Sequence, residues 1–119
     1  MSKCKLVKDK DRTFETIAGP PGFARVGRDA HTDVSQTMSC GVVEMQNLNM
    51  PWTILYDEYF YVLEGSMTIQ ADGTDYVLEV GDGFWIPEGT ELVYIAGEET
   101  CKMVVAVYPG NWREIHGIE

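Results

Sequence analysis

The chain has 119 residues, one domain by size, and is long enough to bury a hydrophobic core without disulfide staples. Its formal net charge is −10, and beyond residue 12 only four basic residues face seventeen acidic ones, a balance that excludes nucleic acid and anionic lipid as partners. Three widely spaced cysteines (Cys4, Cys40, Cys101) form neither a disulfide framework nor a CxxC knuckle, and no apolar run nears the ~18 residues of a membrane span, so a cytoplasmic, soluble protein is expected.

The first twelve residues carry Lys3, Lys5, Lys8, Lys10 and Arg12 beside Asp9 and Asp11, and read as a solvated head or edge strand. "AGPPGFARVGRD" (residues 18–29) reads as a loop leading into an edge strand, because prolines cannot donate to a β-ladder. "TMSCGVVEMQ" (37–46) is rich in strand formers. "EYFYVLEG" and "SMTIQAD" (58–72) read as one long strand bent near Glu64 and Gly65. "ADGTD" is a hairpin turn in which Asp72 and Gly73 supply positive φ angles. "TDYVLEV" returns, "GDG" turns, "FWIP" is a short strand ended by Pro87, and "PEGT" turns again. "ELVYIAG" and "CKMVVAVYP" complete the series. No segment sustains an apolar period of 3.6 residues. Short strands with Gly and Pro turns predict an all-β sandwich or barrel. In the strands, Phe60, Val62, Leu63, Met67, Ile69, Leu78, Trp85, Ile86, Val104 and Val105 are expected in the core or an interface, and Cys40 and Cys101 as buried thiols.

Two fragments, in this order and one hairpin apart, narrow the fold class further. In "DEYFYVLEGSMTIQADG" Glu58 is followed after six residues by Gly65; in "VLEVGDGFWIPEGTEL" Gly81 is followed after five by Pro87, then one residue and Gly89. These resemble the end of the first and the start of the second motif of the cupin superfamily, G-x5-HxH-x3,4-E-x6-G and G-x5-PxG-x2-H-x3-N. The resemblance implies a small single-domain β jelly roll (a double-stranded β-helix), with an arm over 1–35, the cupin domain over 36–113 and a tail over 114–119. Within the cupins, "PWTILYDEYFYVLEG", "GDGFWIPEGT" and "AVYPGNW" are similar to the EutQ family. That similarity implies a role in ethanolamine catabolism near a bacterial microcompartment, with an acetate-kinase activity attributed to the family. Cupins usually pair, which makes a homodimer the expectation.

The metal ligands of that frame are replaced. Trp52, Thr53 and Ile54 stand where the histidine pair belongs, Leu92 stands for the third histidine, and only Glu58 remains of the four. One carboxylate does not hold a transition metal against water, so no metal is expected in the inherited site and any cofactor is unknown. If the cupin register holds, Glu58 points into the barrel, where desolvation raises its pKa unless a hydroxyl or cation answers it. Glu58 and Tyr56 are the catalytic candidates. Glu44, Trp52, Asp57, Trp85 and Tyr94 are the ligand-binding candidates, because carboxylates flanked by aromatic faces suit a small cationic amine.

His31 and His116 lie outside both motifs and read as surface residues. The leading function is a EutQ-like protein that binds or converts a small molecule in a barrel cavity, of the ethanolamine or of the acetate and acetyl-phosphate type. One rival is a metal-dependent cupin enzyme using Glu44, Glu58, His31 and Tyr56; another is a non-catalytic regulatory or structural subunit. Phosphoryl transfer meets a physical objection, since it needs cations around the γ-phosphate. The chain has no G-x-x-x-x-G-K-[ST] loop, and only Lys102 and Arg113 follow position 28.

Overall fold

The computed structural model describes residues 3–117, so the ends of the head and of the 114–119 tail lie outside the described residues. Ten strands run in order: β1 (Glu15–Ala18), β2 (Phe23–Ala30), β3 (Ser39–Gln46), β4 (Leu48–Thr53), β5 (Asp57–Glu64), β6 (Met67–Ala71), β7 (Thr74–Leu78), β8 (Gly83–Ile86), β9 (Glu91–Ala96) and β10 (Cys101–Tyr108). One helical turn, α1 (Trp112–Ile115), follows. The strands form a six-stranded sheet of order β1-β2-β3-β10-β5-β8 and a four-stranded sheet of order β4-β9-β6-β7, with antiparallel pairing throughout. The protein is therefore an all-β jelly roll, as the motifs imply.

Alternation sorts each strand between core and outside. On β5, Glu58, Phe60 and Val62 are buried while Tyr59, Tyr61 and Leu63 stand on the outer face. Met45, Met103 and Val105 join them from the large sheet, and Met67, Ile69, Leu92 and Tyr94 answer from the small one. Pro51, which has no N–H to donate, sits on β4, an edge strand, where the missing ladder bond costs least.

Three readings of local structure change. Residues 58–72 are two strands in different sheets, not one bent strand, because the chain crosses between sheets at Gly65. Gly65 has φ +74°, and a Cβ there would run into the Thr100 carbonyl oxygen. The segment after the two prolines is an inner strand, since β2 pairs with both β1 and β3, and the edge at that end of the sheet is β1. The basic head is pinned: Arg12 sends Nε and Nη2 to the Asp29 carboxylate at 2.8 and 2.9 Å and Nη1 to Asp9 at 2.8 Å. Its stem occupies the place where a Gly27 side chain would stand. The Asp72-Gly73 turn joins β6 to β7 with φ of 56° and 70°, as the sequence predicts.

Two glycines separate backbone strain from crowding. Gly65 and Gly73 both have positive φ, but a Cβ on Gly73 meets nothing within 4 Å. Gly73→Ala should cost about 1 kcal/mol, the penalty of a left-handed non-glycine residue. Gly65→Ala should cost at least about twice that, because crowding adds to the same penalty. Urea unfolding of the two variants checks the difference.

Candidate functional site

The site begins with the backbone between β4 and β5. Ile54 is fully buried, and its N–H donates to the Thr90 carbonyl at 2.9 Å while its own carbonyl accepts from Gly89 N–H at 2.7 Å. Gly89 makes that contact at φ +93°, so the second motif fixes the loop of the first. One residue before β5, Tyr56 is thereby turned inward and buried. Asp57 faces the other way, and its Oδ1 accepts the Glu88 N–H at 2.9 Å.

Between the two sheets lies a cavity of about 70 Å³, room for a few waters or a ligand of a few heavy atoms. Its walls are largely apolar, and Trp52, Tyr56, Phe60, Tyr94 and Trp112 supply aromatic faces. Glu58 and Arg28 are the only charged residues among its described lining. Glu58 is 6% exposed, and Tyr94 Oη donates to its Oε1 at 2.9 Å, joining the two sheets through one hydrogen bond. Burial pushes the Glu58 carboxyl up to about 8, against which the Tyr94 hydrogen bond pulls only partly. The acid is therefore mostly protonated at neutral pH. Burial, reinforced by the neighbouring Glu58, also holds the phenols of Tyr56 and Tyr94 well above their ordinary range. Trp52 adds a side-chain hydrogen bond to Tyr56.

The C-terminal segment completes one wall, a role for which the sequence gives no periodic signal. Trp112 of α1 is buried and lines the cavity. His116, expected at the surface, stacks on Trp52 with ring centroids 4.6 Å apart and meets Tyr56 edge-on at 5.4 Å. Its Nε2 is buried with no hydrogen-bond partner among the described residues, and burial lowers its pKa. A neutral ring packed on the back of two cavity walls follows.

The sequence candidates divide cleanly. Glu58, Tyr56, Trp52 and Tyr94 meet at the cavity. Glu44 is on the outer face of β3, where its Oε1 accepts from Arg25 Nε at 2.7 Å. Asp57 serves the turn described above, and Trp85, 57% exposed, lies outside on the edge strand β8. His31 and Cys40 stand near the far end, His31 Nδ1 lying 3.1 Å from Ser39 Oγ and half-buried Cys40 lining the cavity, while Cys101 is fully buried. Arg28 lines the cavity without having been singled out; as the fourth residue of "RVGRD" it carries no motif.

A metal does not fit these donors. Ile54 and Leu92, at two positions where cupins place histidine, are buried apolar residues, and Glu44 is turned away from Glu58. Among the described residues no group of three or more His, Cys, Asp and Glu side chains converges.

The raised carboxyl makes a signed prediction. Below pH 4.5 both folded and unfolded chains hold the Glu58 proton; between 4.5 and about 8 only the folded chain does. Stability therefore falls as pH rises through that window, by up to about 1.4 kcal/mol per unit, and the loss is complete above it. Glu58→Gln removes the titration, so the variant should gain a few kcal/mol on the wild type between pH 5 and 8. Parallel urea-midpoint profiles for the two proteins would contradict the sealed carboxyl.

Comparison with known proteins agrees with this frame. A family model described as ethanolamine utilisation protein EutQ matches residues 3–114. The chain is 28% identical over 95 residues to acetate kinase EutQ of Clostridioides difficile (strain 630), covering 79% of this chain and 60% of that protein. It is 29% identical over 83 residues to acetate kinase EutQ of Escherichia coli (strain K12), covering 70% of this chain and 35% of that protein. The chain thus spans about a third to three fifths of the curated relatives' length. The solved structure of the Clostridium difficile EutQ protein superposes with a TM-score of 0.73 at 25% identity, over 80% of this chain and 69% of that one. An RmlC-like cupin from Shewanella frigidimarina NCIMB 400 superposes with a TM-score of 0.72 at 15% identity, over 87% and 89% of the two chains. With its cupin fold and its match over nearly the whole length, this chain belongs to the EutQ family.

Proposed function

We propose that the chain holds a small cationic amine of ethanolamine catabolism in the cavity, with its ammonium group on Glu58. The observation that carries this reading is the carboxyl sealed between the sheets and ringed by Tyr56, Tyr94, Trp52 and Phe60. Arg28, the other charge on the lining, is already paired, its Nη2 lying 3.1 Å from Glu15 Oε1. An ammonium ion would supply the counter-charge that makes ionisation of Glu58 favourable, and the aromatic faces add cation–π attraction. Family membership supports the same metabolite class.

Binding then has a proton signature. Because Glu58 keeps its proton up to about 8, each amine bound at pH 6.5 should release about one proton. Titration calorimetry with ethanolamine in two buffers of different ionisation enthalpy reads that number directly. Affinity should rise roughly tenfold per pH unit toward pH 8, and Glu58→Gln should abolish both heat and proton release. Absence of heat at millimolar ethanolamine overturns the reading.

The names of the relatives support a second reading, phosphoryl transfer to acetate. A cavity of about 70 Å³ accommodates acetate but no nucleotide, so ATP would have to lie outside it, near Arg28. A coupled assay with Mg²⁺, ATP and acetate tests this, with turnover lost in Arg28→Met expected and no product above background as the contrary result.

The chain acts as a homodimer in this proposal. Tyr59, Tyr61, Trp85, Val104 and Tyr108 are exposed together on the outer face of β5, β8 and β10. In an acidic body this uncharged face is where a second copy meets least repulsion, and edge strand β8 adjoins it. Light scattering at about 50 μM should give a dimer mass, and Tyr61→Lys a monomer; a monomeric wild type rejects the arrangement.

A further inference from the structure

The polar groups of the cavity stand at two poles. Ser39, Val107 and Glu58 are register partners across β3, β10 and β5, and all three are buried. Two strand spacings therefore separate Ser39 from Glu58, roughly 9–10 Å. Glu58, Tyr94 and Tyr56 form one pole. At the other, Ser39 Oγ donates to the Ala30 carbonyl at 2.9 Å and lies 3.1 Å from His31 Nδ1. A hydroxyl has one proton, so Ser39 accepts from Nδ1–H there. Arg28 belongs to this pole and also borders the surface hollow formed with His31, Thr32 and Asp33. Glu15 engages one corner of its five-donor fork, from the partly exposed side. Val43, Val105 and Val107 leave the floor between the poles apolar.

We propose that the ligand is bipolar: a small zwitterion whose ammonium group meets Glu58 and whose anionic group, a phosphate or carboxylate, meets Arg28. This rests on the reading that Glu58 takes an ammonium group and extends it to the other end of the molecule. Arg28 lies on β2, one strand beyond Ser39, so the ligand's two charged groups are held apart by a short apolar linker that runs over the valine floor. A simple amine leaves the Arg28 donors not taken by Glu15 facing an apolar cavity, whereas a zwitterion engages them. Arg28 is thus the residue that discriminates between the two.

Titration calorimetry at pH 7.5 with ethylamine, ethanolamine, O-phosphoethanolamine and β-alanine tests this. At least one zwitterion should bind the wild type ten-fold or more tighter than ethylamine, and Arg28→Met should bring that ratio close to one. A preference for O-phosphoethanolamine assigns a phosphate, and a preference for β-alanine a carboxylate. If Arg28→Met fails to fold, as judged by circular dichroism, Arg28→Lys carries the same test: the ratio should fall several-fold as the planar fork is lost. A zwitterion that binds no tighter than ethylamine, or an advantage that survives loss of Arg28, overturns the inference and leaves the amine reading standing. Heat from none of the four ligands defeats both.

Discussion

The hydrogen bond from Tyr94 to Glu58 crosses from one sheet to the other in a largely apolar core. A carboxyl sealed there has two ways of avoiding an uncompensated charge: it keeps its proton, or it acquires a cation. At neutral pH with nothing bound, the first prevails, and a neutral acid hydrogen-bonded to a neutral phenol is an inexpensive core contact. The second becomes available only when something cationic enters. The same pair of residues therefore closes the fold in one protonation state and, in the proposed function, receives the ligand in the other.

Around that pair, the two motifs act as one unit. The strand turn at 87–90 holds Ile54 by both its backbone groups, which turns Tyr56 inward, and α1 and His116 back up the aromatic wall. Metal-binding cupins use histidine nitrogens at these positions; here bulky aromatic and apolar side chains fill the space, and the surviving glutamate changes from a ligand into a titratable wall. In the proposed function that change determines the ligand, because a lone acid among aromatic faces selects for charge rather than for coordination geometry.

Much of this was legible in the residues. The glycines and the Asp-Gly turn mark backbone geometry that other residues adopt poorly, so they point to the jelly roll directly, and strand alternation from Glu58 puts that acid inside. The failures share a physical origin. Glu44 and Trp85 lie on the outer faces of their strands, and parity could be fixed only where a motif supplied the register. Arg28 and His116 reach the site by tertiary contact: the first from a strand with no motif, the second from a tail beyond the last strand. A proline-rich approach hid β2, whose partners on both sides are visible only once β1 and β3 are placed.

Adjacent carboxylates at 57 and 58 have opposite duties, one clamping the turn at Glu88 and the other sealed in the cavity. Because side chains alternate, sliding β5 by one residue would swap them, bringing in an acid one methylene shorter and expelling the longer one into solvent. The Asp57 clamp is therefore a register lock on the outside of the barrel. It guards the identity of an interior group it never touches, and a one-residue slip in this loop would exchange that acid together with Phe60 and Val62, so cavity chemistry and core packing are held by the same register.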